Sequence, residues 1–191
     1  MFTAAVSFVF EIVLDLLTGA FLLRCILQLA RAPFQNPISQ LVVAVTNFAV
    51  RPARRIIPAL GRLDTSSLLL ALLTQLLLQC GLLWLHDVAI SATGASVYAA
   101  IFGLAALSLV KITLYILLYV IIAQVLLSWI NPYTPVAPVL ESLTYPILRP
   151  LRRIVPTLGG VDLSPLVACI GIEVLVLFVI TPLTGKLLHL L

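Results

Sequence analysis

Two short basic segments carry more than half of the cationic side chains in this 191-residue sequence. The first is Arg51-Pro52-Ala53-Arg54-Arg55-Ile56-Ile57-Pro58 and the second is Arg149-Pro150-Leu151-Arg152-Arg153-Ile154-Val155-Pro156. Both follow the pattern Arg-Pro-x-Arg-Arg-Ile-x-Pro. Three guanidiniums within five residues suit anionic groups, because each guanidinium offers a planar fork of donors to a phosphate or carboxylate. Beside an anionic membrane surface each basic residue contributes about 1 kcal/mol. Arg51, Arg54, Arg55, Arg149, Arg152 and Arg153 are therefore candidate contacts for phospholipid headgroups or a partner protein. Fixing membrane topology would also use such a cluster. It would not require the fixed spacing to Pro, Gly and Asp seen in both copies, which suggests that Asp64 and Asp162 fold back onto their own Arg clusters.

A second set of candidates consists of polar groups inside apolar stretches: Glu11, Asp15, Arg24, Gln75, Lys111 and Glu173. Ionisable groups in lipid are rare and mark functional or interhelical contacts. At 1.5 Å per residue, Arg24 lies roughly 9–10 Å from the basic end of its segment and Glu173 about 13 Å, which predicts a pair between the first and fourth spans. On the same scale Lys111 and Glu11 both lie about 28 Å in and Asp15 about 22 Å, which predicts a second meeting point or snorkelling to the interface. Gln75 and Glu173 are 98 residues apart and so occupy one depth in two related segments. Gln28 and Gln124 recur near the Asn-Pro pairs, less strictly aligned.

Nothing in the sequence points to catalysis. The two histidines, His86 and His189, stand at segment ends without a carboxylate or cysteine at ligand spacing, and there is no Gly-rich phosphate loop or Gly-x-Ser-x-Gly. Cys25, Cys80 and Cys169 are scattered through apolar stretches, an arrangement that suits neither a zinc site nor a disulfide framework and reads as small core residues. No enzyme, cofactor or metal is expected. The net charge of +4 looks weakly like nucleic-acid binding, but the basic residues sit between apolar runs where headgroups lie, so no nucleic acid is expected.

The elements that must position these residues follow from composition. The chain is 62% hydrophobic and 9% charged, against about 25% charged in soluble domains, so lipid is the solvent for most of it. Four spanning helices are predicted: Phe8 to Ala30, Ser67 to Leu85, Ile112 to Ile130 and Pro165 to Ile180, with Thr181-Pro182 ending or kinking the last. The first apolar run has no preceding Lys or Arg and contains Glu11 and Asp15, so it reads as a retained span and not a secretory signal. Val88–Val110 reads as a periplasmic turn followed by an extension of the third helix, or as a shallow re-entrant piece. A fifth crossing would separate the two Arg-rich loops, which the positive-inside rule places together in the cytoplasm. Both termini are then periplasmic.

Residues 51–68 align without gaps on 149–166 and are identical at 11 of 18 positions. Asn36-Pro37 recurs as Asn131-Pro132 with a three-residue shift. The fold class expected is an all-α membrane protein of two parallel tandem repeats, residues 1–95 and 96–191, each with two spans, a short interfacial helix and a cytoplasmic Arg-rich segment. Asn36 reads as an N-cap with Pro37 at N1, and Ile38, Leu41, Val42, Val45, Phe48 and Ala49 form the apolar face of an interfacial helix, with Ser39, Gln40, Thr46 and Asn47 opposite. The second copy, with Val136, Val139, Leu140 and Leu143, is a poorer version cut by Pro138 and Pro146. The prolines of the basic segments are expected to limit any helix there to one or two turns. Ser66 and Ser164 read as N-caps of the second and fourth spans.

These motifs resemble the YggT (YlmG) family of small bacterial membrane proteins, which has chloroplast relatives. The resemblance covers nearly the whole chain. It rests on Pro33-Phe34-Gln35-Asn36-Pro37-Ile38-Ser39-Gln40, the two basic segments, Asp64-x-Ser66, Leu127-Ser128-Trp129 and Asp162-Leu163-Ser164-Pro165. It implies an inner-membrane protein acting in osmotic or envelope stress tolerance, ion homeostasis, or membrane-protein assembly and division, with no catalytic residues to carry over. The function expected is a non-enzymatic scaffold or assembly factor that engages anionic phospholipid and a membrane-protein partner or second copy. The alternative is a small oligomeric ion channel or transporter using the intramembrane polar residues.

Overall fold

The computed structural model describes residues 2–33, 35–85, 95–155 and 162–190. Among them the chain is helical throughout: α1 Phe2–Leu29, α2 Pro37–Ile56, α3 Thr65–Leu85, α4 Ala95–Ile130, α5 Ala137–Ile154, α6 Ser164–Leu175, a π-helical turn Val176–Ile180, and α7 Thr181–Leu188. Four helices are long and apolar enough to cross a membrane: α1, α3, α4 from Ser96, and the continuous rod Ser164–Leu188. Their large apolar side chains remain widely exposed, as lipid-facing surfaces require.

The stretch at 95–110 resolves one open choice, since it is the N-terminal part of the single 36-residue α4. At 1.5 Å per residue that helix is about 54 Å long, well beyond a hydrocarbon core of about 30 Å. The predicted turn at residues 88–94 lies outside the described residues. The fourth span also exceeds expectation, continuing through Thr181-Pro182. The π turn explains why: the Thr181 N–H reaches back to the Val176 carbonyl, and its hydroxyl donates to the same oxygen at 3.0 Å, so the ladder is re-registered just ahead of the proline.

Proline fails to stop the basic segments as well. α2 runs through Pro52, and α5 through Pro146 and Pro150. All three prolines lie on exposed faces, where water or headgroups can reach the carbonyls they orphan. Each Arg cluster is therefore the last turn of a long helix, not a short separate piece.

α1 ends ahead of Asn36-Pro37, through a backbone closure. The Ala32 N–H bonds to the Leu27 carbonyl and the Arg31 N–H to that of Gln28, with Arg31 left-handed at φ 53°. This is a Schellman closure, and the buried Ala32 packs in the same cluster as Leu27. Asn36 caps α2 instead, its Oδ1 accepting the Ser39 N–H at 2.9 Å. Asn131 follows α4 and accepts the Tyr133 N–H at 3.1 Å. The two Asn-Pro pairs thus do different jobs.

Three clusters hold the bundle. Phe21, Leu22, Val50 and Ala71 join α1, α2 and α3; Leu118, Ile121, Leu148, Ala168 and Ile172 join α4, α5 and α6. Leu27, Val42, Val139 and Leu143, with Ile38 and Val120, join the two groups. Because α2 and α5 both meet in this last cluster, they lie at the same end of the bundle, where α1 and α4 finish.

Candidate functional site

α2 presents three distinct stripes. Ser39, Val42, Thr46 and Val50 are buried against the bundle. Leu41, Val45 and Phe48 form an exposed apolar stripe, and Arg51, Arg54 and Arg55 lie on the remaining side. The expectation that Ser39 and Thr46 face water is corrected: Ser39 bonds to Asn36 and the Thr46 hydroxyl donates to the Val42 carbonyl, so both are satisfied inside.

The buried side of α2 closes over an ionic network. Arg24 of α1 is 6% exposed and Asp64, just before α3, is fully buried. The Arg24 Nη1 donates to Thr46 Oγ1 at 2.7 Å and Asn47 Oδ1 at 3.0 Å, while its Nε lies 3.7 Å from Asp64 Oδ2. Arg54 donates from Nη2 to the same carboxylate oxygen and to Gln28 Oε1 at 3.1 Å. Ser67 donates its hydroxyl at 2.8 Å. One carboxylate therefore ties α1, α2 and α3 together. Burial on its own pushes the Asp64 carboxyl up, but the hydrogen bonds from Arg54 and Ser67 and the Arg54 charge outweigh it and hold the group below the ordinary carboxylate value.

The predicted Arg24–Glu173 pair does not form; Glu173 is exposed on α6. The reason is the direction of the Arg24 side chain, which snorkels toward the end of α1 and meets Asp64 there. That direction was the signal depth arithmetic missed. The N-cap role predicted for Ser66 is likewise corrected. Its hydroxyl donates to the Ile57 carbonyl at 2.6 Å, and it is Asp64 Oδ1 that receives the Ser67 N–H. At α6 it is Asp162 Oδ1 that accepts from the Ser164 N–H at 2.9 Å, and Ser164 itself opens the helix. In both places the aspartate is the residue at the helix start that accepts.

The segment between α2 and α3 is a tight turn. Leu63 N–H bonds to the Leu60 carbonyl, with Gly61 at φ +62°, a conformation glycine adopts without strain. The corresponding Gly159 lies outside the described residues, as do His86 and Pro156.

Around Asp162 the same residue types are arranged differently. Arg152 donates from Nε to Asp162 Oδ2 at 2.8 Å, but the two side chains are 47% and 35% exposed. Thr144, buried like Thr46, donates to Gln124 Oε1 at 2.5 Å. Gln124 therefore stands where Arg24 stands in the first segment, and α4 carries no arginine. Pro165 replaces Ser67, removing a hydroxyl donor. Burial pushes the Asp162 carboxyl up too, but the Ser164 amide and hydroxyl together with Arg152 more than offset it, leaving it below its ordinary value. Arg149 lies over the Tyr145 ring at 5.4 Å, and Arg51, Arg55 and Arg153 are exposed at the helix ends.

Deeper in the bundle, Gln75 is fully buried and donates to Asp15 Oδ1 at 2.7 Å and Thr18 Oγ1 at 3.3 Å. Glu11 and Asp15 sit on the wall of a mainly apolar groove of about 730 Å³ between α1, α2 and α4. Lys111 is exposed and makes no ion pair with either among the described residues. Asp15 is taken by Gln75, and the level expected for Glu11 was wrong because Gly19 lies opposite Ile112 and Leu27 beside Val120. Lys111 is thus level with Thr18, about 10 Å from Glu11. α4 extends past the end of α1 by roughly two turns. Among the cysteines, Cys25 is buried, Cys169 is half-buried and Cys80 is exposed, so the last is not a core residue.

A family model described as CCB3/YggT matches residues 3–85 and 103–183. An uncharacterized protein in the proC 3′ region of Vibrio alginolyticus is 37% identical over 171 residues, covering 88% of this chain and 90% of the relative. YggT of Escherichia coli (strain K12), an uncharacterized protein, is 35% identical over 176 residues, covering 91% and 86%. An uncharacterized protein of Haemophilus influenzae is 33% identical over 147 residues, covering 76% and 75%. No solved structure matches the chain. With four membrane-length helices and matches over most of its length, this chain belongs to the CCB3/YggT family.

Proposed function

We propose that this protein is a non-enzymatic scaffold or assembly factor of the bacterial inner membrane, made of two parallel repeats, residues 1–95 and 96–191, whose cytoplasmic Arg helices engage anionic phospholipid and a membrane-protein partner. Both termini then face the periplasm, and α2 and α5 lie in the interface. One observation carries the reading: α2 has a buried stripe, an exposed apolar stripe and a cationic stripe, and α5 brings a second Arg cluster to the same end. A helix with that division of faces suits the boundary between acyl chains and headgroups. A role in osmotic or envelope stress tolerance, or in ion homeostasis, fits the family resemblance.

The six arginines divide the work. Arg54 and Arg152 hold aspartates, which leaves Arg51, Arg55, Arg149 and Arg153 to face headgroups or a partner. The channel alternative has less support, because Asp15, Gln75 and Arg24 are tied to neighbours at two separate levels. Changing Arg51, Arg55, Arg149 and Arg153 together to Gln should reduce retention of phosphatidylglycerol ten-fold or more, read by native mass spectrometry of protein extracted from membranes, with insertion unchanged. At about 1 kcal/mol per basic group, four losses suffice for that effect. Unchanged retention would sink the proposal.

A further inference from the structure

Beside Asp162 lies a cavity of about 320 Å³ walled by Gln124, Ser128, Trp129, Arg152, Asp162 and Pro165 among others. The first segment shows what the same place holds when it is filled. There the Arg24 guanidinium bonds to Thr46 and approaches Asp64, and Gln28 bonds to Arg54. The partners match one by one in the second segment: Thr144 takes Gln124 instead of Arg24, and Ser128, four residues on, lines the cavity as Gln28 lines the Arg54 site. Glutamine is shorter and neutral, so no cation from α4 stands at Asp162. An ionised carboxylate accepts about four hydrogen bonds. Asp64 takes Arg54 and the Ser67 hydroxyl on Oδ2 with Arg24 close by, whereas Asp162 Oδ2 takes only Arg152 among the described residues.

We propose that this cavity seats the headgroup of a phosphatidylethanolamine, with its primary ammonium at Asp162, where the first segment brings its own guanidinium, and its phosphate on the outward nitrogens of Arg152. The inference rests on the reading of this end of the bundle as the headgroup side. A lipid is favoured as occupant because the cavity offers one cation and one anion in contact, matching a phosphate and an ammonium separated by two methylenes. It also has an exposed tryptophan on its wall, the side chain favoured at the membrane–water boundary. A quaternary choline ammonium has no N–H to give the carboxylate, so the seat discriminates between two headgroups of the same net charge.

The chain has two tryptophans, Trp84 and Trp129. Trp84→Phe therefore leaves Trp129 as sole reporter in nanodiscs containing chain-brominated lipid diluted in unbrominated lipid. Brominated phosphatidylethanolamine should quench Trp129 at five-fold or more lower mole fraction than brominated phosphatidylcholine. Asp162→Asn should abolish that difference. Gln124→Arg, which restores the first segment's arrangement and keeps Asp162 paired, should abolish it as well. Equal quenching by the two lipids would overturn the proposal, as would a preference that survives either substitution. A preference for phosphatidylglycerol alone, lost with the four exposed arginines and indifferent to Asp162→Asn, would also overturn it while leaving the Arg-cluster reading intact.

Discussion

Asp64 and Asp162 stand at matching places in the two aligned segments, each before a spanning helix and each held by an arginine ten residues earlier. Yet Asp64 is fully buried beneath two arginines, and Asp162 is a third exposed beside one. The difference traces to two positions: Arg24 against Gln124, identified by their shared threonine partners, and Ser67 against Pro165. One carboxylate has become an internal fastener for three helices, and the other an open acceptor. The same motif is thus closed over by its own arginines in one place and left partly open in the other, and the motif by itself does not say which.

The sharpest way to break this comparison is to remove the two carboxylates in turn. Asp64→Ala strands the buried Arg24, and losing one partner of a buried ion pair costs about 3–5 kcal/mol. Asp162→Ala removes a partly solvated pair and the acceptor of the Ser164 N–H, and should cost about 1–2 kcal/mol. Thermal unfolding in detergent micelles checks both, and equal losses would erase the distinction. A smaller contrast is expected deeper in the bundle. Gln75→Leu leaves Asp15 without its donor and should cost about 1–3 kcal/mol, whereas Glu173→Leu, on the exposed face of α6, should leave stability unchanged or raise it.

Acid sharpens the comparison least but fixes its sign. Both carboxyls are held below the ordinary value of 3.8, so each contributes stability that is present above that value and lost as pH falls through the lower folded one. Since Asp64 is the buried one, Asp64→Asn should flatten the acid limb of the stability profile more than Asp162→Asn does. Stability titrations of the three proteins below pH 4 would show it.

Much of this was legible in the sequence. The four membrane-length helices follow from hydropathy, and the fold-back of each aspartate on its Arg cluster follows from fixed spacing in both copies. The partner of Arg24 was not legible, because depth along a helix ignores where a long side chain points. Nor was the equivalence of Arg24 and Gln124. Aligning Asn36 with Asn131 conceals it, since the first caps α2 and the second trails α4. The prolines misled for a related reason. A helix tolerates proline where its exposed face lets solvent satisfy the freed carbonyl, or where a π turn precedes it.

The dependence of Arg24 on Asp64 also bears on the order in which the chain can enter a membrane. During synthesis α1 emerges some forty residues before the carboxylate that neutralises its arginine. Arg24 lies five residues from the end of α1, so leaving it unpaired costs less than the roughly 2.5–3.5 kcal/mol of an arginine at a helix centre. The contact with Asp64 offsets that cost, which favours α1 settling together with α3. In α4 the neutral Gln124 stands at the place of Arg24, so the ion pair that couples α1 to the start of α3 has no counterpart among the described residues of the second half.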